Sequence, residues 1–254
     1  MLYLFQRELL VENTTHGQVF STVVDGPQQA LLSLGWDIYC IQIHNKLPHT
    51  IVEKMIKNRT FQSFRYEVAI AAIMVRAGYE VNWYEACCEG EPKGEFIAIH
   101  TETGLKLTVE AKSLHRKGVL HEAGELDPAD TKAKRIAKLL KNAEKKKEKG
   151  IPHAIFIDIN RPPNPSNLQS DLDYIKLLIR HMSPIPSAKK PAKHDVLFIT
   201  NFSPHYGGVG KQLPQKRQYF SVFPRYCADH MNIELYHDIQ NSLDHYSHIP
   251  DEIN

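Results

Sequence analysis

Gly94 to Lys112, reading GEFIAIHTETGLKLTVEAK, constrains this chain more than any other stretch. Two apolar runs, Phe96 to Ile99 and Leu105 to Ala111, flank the polar turn Thr101-Glu102-Thr103-Gly104, the pattern of a β-hairpin. Side chains alternate along a strand, so Leu105, Leu107, Val109 and Ala111 share one face while Lys106, Thr108, Glu110 and Lys112 share the other. A carboxylate and an ammonium are thereby neighbours at the end of a strand whose opposite face is core. Shielding such charges costs free energy unless they have partners or chemistry to perform. If Glu95, at the start of the first run, lies across from them, two carboxylates and a lysine converge, a donor set for a divalent metal beside a proton-handling group.

The hairpin sits in a chain of strongly patterned elements. Residues 1 to 60 are expected to form a helical section that covers one side of the main domain. Asp25-Gly26-Pro27 starts one helix with Ala30, Leu31, Leu34, Ile38 and Ile41 at helical spacing, and Pro48 starts a shorter one through Ile51, Met55 and Ile56. FQSFRYEVAIAAIMVRAG then reads as a largely buried helix from Phe61 that ends at the left-handed cap Gly78. Glu67 lies on its apolar face, near Phe64, Ile70 and Ala71, and needs a cation, a donor or a metal there; the alternative is an outward tilt to pair with Arg59 or Lys57.

Tyr79 to Tyr84 alternates as a strand. After Lys112 comes an aperiodic loop, and Asp127-Pro128-Ala129-Asp130 opens a helix that carries Ile136, Leu139, Leu140 and Ala143 inward and ends near Gly150. Its final run, Lys145 to Lys149, reads as solvated charge complementing the helix C-terminus. HAIFIDI, His153 to Ile159, is nearly continuous hydrophobe after a long helix, the signal for a central strand reached by a crossover. Leu172, Ile175, Leu178 and Ile179 mark a further helix, and Val196 to Thr200 a final core strand. The order describes an α/β core, a mixed sheet with helices on its faces, over residues 61–200, with a C-terminal extension over 201–254. That extension is aromatic and histidine-rich, with His205, Tyr206 and Gly207-Gly208 directly after a core strand. The pairs His230/His237 and His245/His248 lack a zinc pattern.

Hydrolysis of a phosphodiester requires charge neutralisation at the phosphate and an activated water in line with it. A Mg²⁺ ion, with Mn²⁺ as a substitute, held by Glu95, Glu110 and the backbone carbonyl of Ala111 supplies the first. Lys112 would orient the water or stabilise developing charge, and Glu67 would complete the metal shell or hold a coordinated water. Together these residues resemble the PD-(D/E)XK nuclease-like superfamily, which includes restriction endonucleases and Holliday-junction resolvases. The similar portion runs from Tyr66-Glu67 through GEFIAI and LTVEAK to the helix at Asp127 and the strand HAIFIDI. The family's E-x-K falls on Glu110-Ala111-Lys112, its first-helix glutamate on Glu67 and its preceding acid on Glu95. The family's usual first acid is an aspartate after proline; Glu91, ahead of Pro92, and Glu102 are the other nearby carboxylates.

The resemblance implies a restriction endonuclease-like core and metal-dependent hydrolysis of nucleic acid, DNA ahead of RNA, with a homodimer open. A catalytically inactive nuclease-like module that binds nucleic acid or protein is the alternative, and a helical interaction module at residues 1–60 is a third class. His115, Arg116 and Lys117 after the site either meet a phosphate or form a solvated loop. Bulk composition neither demands nor forbids a nucleic-acid partner, since 31 basic side chains face 29 acidic ones for a net charge of +2. The cysteines Cys40, Cys87, Cys88 and Cys227 have no CxxC spacing and read as buried thiols in a reducing compartment. No apolar run approaches the ~18 residues of a membrane span, so a soluble, cytoplasmic protein without membrane partners is expected.

Overall fold

From Val68 onward the helix Phe61–Arg76 is apolar all round and must be enclosed, and every residue from Val68 to Val75 is buried, as is Tyr66. The computed structural model describes residues 26–44, 47–57, 61–84, 94–115, 133–160, 192–202, 219–222 and 233–246. In chain order its elements are α1 (Gly26–His44), α2 (His49–Lys57), α3 (Phe61–Arg76), β1 (Tyr79–Trp83), β2 (Phe96–His100), β3 (Lys106–Ser113), α4 (Ala133–Ala143), a 3₁₀ turn (Glu144–Lys146), β4 (His153–Asp158), β5 (Val196–Thr200), β6 (Tyr219–Val222) and α5 (Ile233–Asp244). They make an α/β fold with an open, mixed central sheet flanked by helices.

The six strands lie side by side in chain order, β1-β2-β3-β4-β5-β6. β1, β2 and β3 form an antiparallel meander, β3, β4 and β5 run parallel, and β6 closes the far edge antiparallel to β5. The tight turn between β2 and β3 uses Gly104 at φ 70°, and α3 hands over to β1 through Gly78 at φ 84°, a conformation in which side chains other than glycine are strained. β4 is buried along its whole length because both faces of the sheet are covered. On one face Ala154 and Phe156 join Val109, Phe198 and the apolar residues of α3. On the other, Ile155 and Ile157 pack with Leu197, Ile199 and the α4 residues Ile136, Leu140 and Ala143.

α1 and α5 form a layer packed on α3, and α5 also reaches the sheet, where Tyr236 stacks on Phe198 with ring centroids 6.0 Å apart. Polar ties fix that outer layer: Ser242 Oγ donates to Ile73 O at 2.8 Å, Tyr246 Oη donates to Asp37 Oδ2 at 3.2 Å, and Arg76 Nη1 lies 3.6 Å from Asp37 Oδ1. Complete burial pushes the Asp37 carboxyl up to about 7 against the pull of Arg76 and Arg65.

Several expectations need correction. Leu105 lies outside β3 and is 46% exposed, and the polar face of that strand is covered as well, with Thr108 and Glu110 fully buried. α4 stops at Ala143 instead of running to Gly150: the 3₁₀ turn tightens its end and Lys147 is extended, at ψ 128°. β6 and α5 were not foreseen. β6 has only four residues, whereas Leu235, Ile239 and Leu243 of α5 do carry a helical spacing that could have been read. The helix start at Asp127-Pro128, the helix around Leu172 to Ile179, and Cys87, Cys88, Cys227, His205, Tyr206, His230 and His248 lie outside the described residues. Cys40 is a buried free thiol. Among the described residues no helix is long and apolar enough to cross a membrane.

Candidate active site

β3 outruns its neighbour. Its register with β2 ends at the pair Phe96 and Val109, while its pairing with β4 continues from Thr108 to Ser113. The four residues after Val109 therefore form one wall of a notch. Glu95 is anchored at the mouth of that notch by backbone bonds on both sides, its N–H donating to Val109 O at 2.9 Å and its carbonyl accepting from Tyr84 N at 3.2 Å. Gly94 precedes it because nothing larger fits: a Cβ there would stand 2.7 Å from Val109 O. Backbone groups alternate in direction along a strand. Val109 O faces the β2 side, so the carbonyl of Ala111 faces the same side, next to the notch.

Into this notch the chain delivers two carboxylates and two ammonium groups. Lys112 Nζ lies 2.5 Å from Glu110 Oε1 and 2.8 Å from Glu95 Oε1. Lys146 Nζ lies 2.9 Å from Glu110 Oε1, donates to Glu110 Oε2 at 3.1 Å and sits 3.4 Å from Glu95 Oε1. The Glu110 side chain is wholly buried, and its Oε1 lies between the two ammonium groups. Both lysine side chains remain 25% exposed, so the cluster opens to solvent on their side.

Glu67 belongs to the same electrostatic unit. Burial and then the repulsion of Glu95 push its carboxyl up to about 8, with Glu110 adding to the rise and Lys112 and Lys146 opposing it. Burial works to raise Glu95 as well, but Lys112 and Lys146 together hold it below the usual carboxylate range. Glu110 is raised, by burial and by the charge of Glu95. Burial works to lower Lys112, yet Glu95 and Glu110 hold it above the ordinary lysine range.

The structure thus brings Glu95, Glu110 and Lys112 into direct contact and sets Glu67 within their field. Glu102 is exposed in the β2–β3 turn and takes no part, while Glu91 lies outside the described residues. His115 is 2.5 Å from Ser63 Oγ on α3, and burial and nearby Arg135 lower its pKa; Arg116 and Lys117 lie outside the described residues. Lys146 was missed, because a run of lysines at a helix end reads as solvent-facing. Only the register change from α4 into the 3₁₀ turn selects which lysine of the run points inward.

Oxygen donors from two carboxylates and one carbonyl suit a hard divalent ion such as Mg²⁺, which is commonly held by one or two carboxylates and keeps several waters. Glu110 Oε1 and Glu95 Oε1 supply such oxygens, and in this structure Lys112 and Lys146 neutralise both. Among the described residues no three His, Cys, Asp or Glu side chains are grouped as a metal-binding set, so any such ion would rest on the smaller donor set. Comparison of the chain with protein-family models, with curated proteins and with solved structures finds no match.

Proposed function

We propose that this chain is a metal-dependent nuclease of the PD-(D/E)XK kind, with a restriction endonuclease-like core, that hydrolyses phosphodiester bonds in nucleic acid, DNA ahead of RNA. One observation carries the reading: Glu95, Glu110 and Lys112 meet at the notch where β3 outruns β2. The element order of helix, three-stranded meander, helix and parallel strand supports it.

In this mechanism Glu95, Glu110 and the Ala111 carbonyl would hold Mg²⁺ or Mn²⁺, and Glu67 would serve as a further ligand or anchor a coordinated water. When bound, the ion would supply charge neutralisation at the scissile phosphate and a more acidic water. Lys112, whose ammonium touches both carboxylates, orients that water or stabilises the charge that develops on the phosphate.

The second reading is an inactive nuclease-like module that binds nucleic acid or protein. A specific observation favours it: both carboxylates already have ammonium partners. Single-turnover cleavage of end-labelled DNA and RNA at saturating protein and Mg²⁺, beside a binding titration in Ca²⁺ at fixed salt, separates the two. Lys112→Met is expected to slow the cleavage step by ~10²-fold or more with little change in affinity. Equal losses of rate and affinity would make Lys112 a phosphate anchor. Absence of cleavage by the wild type across metals and substrate shapes would favour the binding module.

A further inference from the structure

Lys146 occupies the position of a cation, not that of an ordinary surface lysine. Its ammonium nitrogen has three carboxylate oxygens around it, Glu110 Oε1 at 2.9 Å, Glu110 Oε2 at 3.1 Å and Glu95 Oε1 at 3.4 Å. It straddles one carboxylate and reaches the second. Lys112, by contrast, touches one oxygen of each from its place on the strand.

The backbone that carries Lys146 is latched on both sides. Before it, Glu144 Oε1 pairs with His194 Nδ1 at 2.9 Å. After it, Lys147 Nζ pairs with Asp195 Oδ2 at 3.2 Å, an oxygen that also accepts the His153 N–H at 2.7 Å, and the Tyr84 hydroxyl donates to Glu148. These contacts tie the turn to the ends of β1, β4 and β5. The lysine run is thus a strap that presents one ammonium to the carboxylate pair. With the strap fixed, only the side chain of Lys146 is free to leave.

We infer that Lys146 is a resident counter-cation which holds the place of the divalent ion between Glu95 and Glu110, so that metal entry requires its displacement and Lys146 sets the metal affinity of the site. The inference rests on the metal-dependent reading above. Lys112 and Lys146 already share Glu110 Oε1 and Glu95 Oε1, so a divalent ion there would be a third cation at the same oxygens, and departure of Lys146 relieves that repulsion. Without metal, Lys146 keeps the buried carboxylates neutralised, and the protein remains folded at low metal concentration.

Mn²⁺ calorimetry on the full chain at fixed pH and ionic strength tests this, with wild type, Lys146→Met, and Lys145→Met as a control. The control makes the same change in net charge at an exposed neighbour whose ammonium contacts Asn142. Lys146→Met is expected to bind Mn²⁺ roughly tenfold more tightly than wild type, a modest fraction of the interaction lost. Lys145→Met should match wild type. Thermal melting with and without Mn²⁺ gives a second readout, the metal-induced rise being larger for Lys146→Met. Lys146→Gln, which keeps a donor toward Glu110, repeats both measurements should the Met variant fail to fold. Binding by the wild type with equal or weaker binding by the Lys146 variants would overturn the counter-cation inference and leave the metal site standing. No Mn²⁺ binding by any of the proteins would overturn both. Binding by the Lys146 variants alone would support the inference in its strongest form.

Discussion

Replacing Glu110 by Gln keeps the shape of a wholly buried side chain and deletes its charge, leaving Lys112 and Lys146 to share Glu95. Breaking a buried ion pair from one side costs ~3–5 kcal/mol because the orphaned charge stays behind. Here the orphans are two ammonium groups that are each 25% exposed and can turn toward water, which reduces the cost to about 2–3 kcal/mol. For a chain of 254 residues that corresponds to a fall in melting temperature of roughly 4–8 °C. Adding Lys146→Met restores the balance of charge, and the double variant should recover a coupling energy of about 1–2 kcal/mol relative to the sum of the single changes. Urea unfolding of the four proteins in EDTA, at pH 7 and low salt, measures the cycle. Additivity within ~0.5 kcal/mol would refute the reasoning, because it would mean that Glu110 and Lys146 do not neutralise each other in the folded protein.

Burial pushes the Asp158 carboxyl up to about 7 from 3.8, against amide donors from Phe202 and Asn160, the Thr200 hydroxyl and the charge of Arg65. The folded protein therefore keeps a proton between about pH 4 and 7 that the unfolded chain has released, so this group's stabilising contribution is present in acid and lost as pH rises. Asp158→Asn should gain on wild type by ~1–3 kcal/mol between pH 5 and pH 8 in urea titrations, and a difference that does not vary with pH would reject this account. Gly94→Ala forces a Cβ to within 2.7 Å of Val109 O and should cost ~1–3 kcal/mol while displacing Glu95. An unchanged melting temperature would mean that the β3 backbone yields at no cost.

The parts legible in the sequence are those set by local alternation. Glu110 and Lys112 had to share a face of β3, and Gly104 had to mark its turn, because period and turn chemistry are written within a few residues. Burial of that face was not legible, since it depends on α4 packing over it from a distant part of the chain. Glu67 stood out as a carboxylate on an apolar stripe. Its companions could not be named, because helical spacing gives a direction and no partner. Lys146 was hidden for a related reason: Lys145, Lys146 and Lys147 are chemically alike, and a change of helical pitch decides which one enters the site. β6 is too short for two-residue periodicity to separate it from a loop.

The side-by-side strand order has a consequence for how the chain reaches its native state. β1, β2 and β3 are joined by local connections, so the meander can close early at a small loop entropy, whereas the parallel pairings wait on longer crossovers. Glu95, Glu110 and Lys112 all ride on that early unit, but Lys146 arrives only when α4 and its strap dock beside β4. Until then two acids face one ammonium across a half-formed notch. The slow, long-range step of folding is therefore also the one that balances the charge of the site.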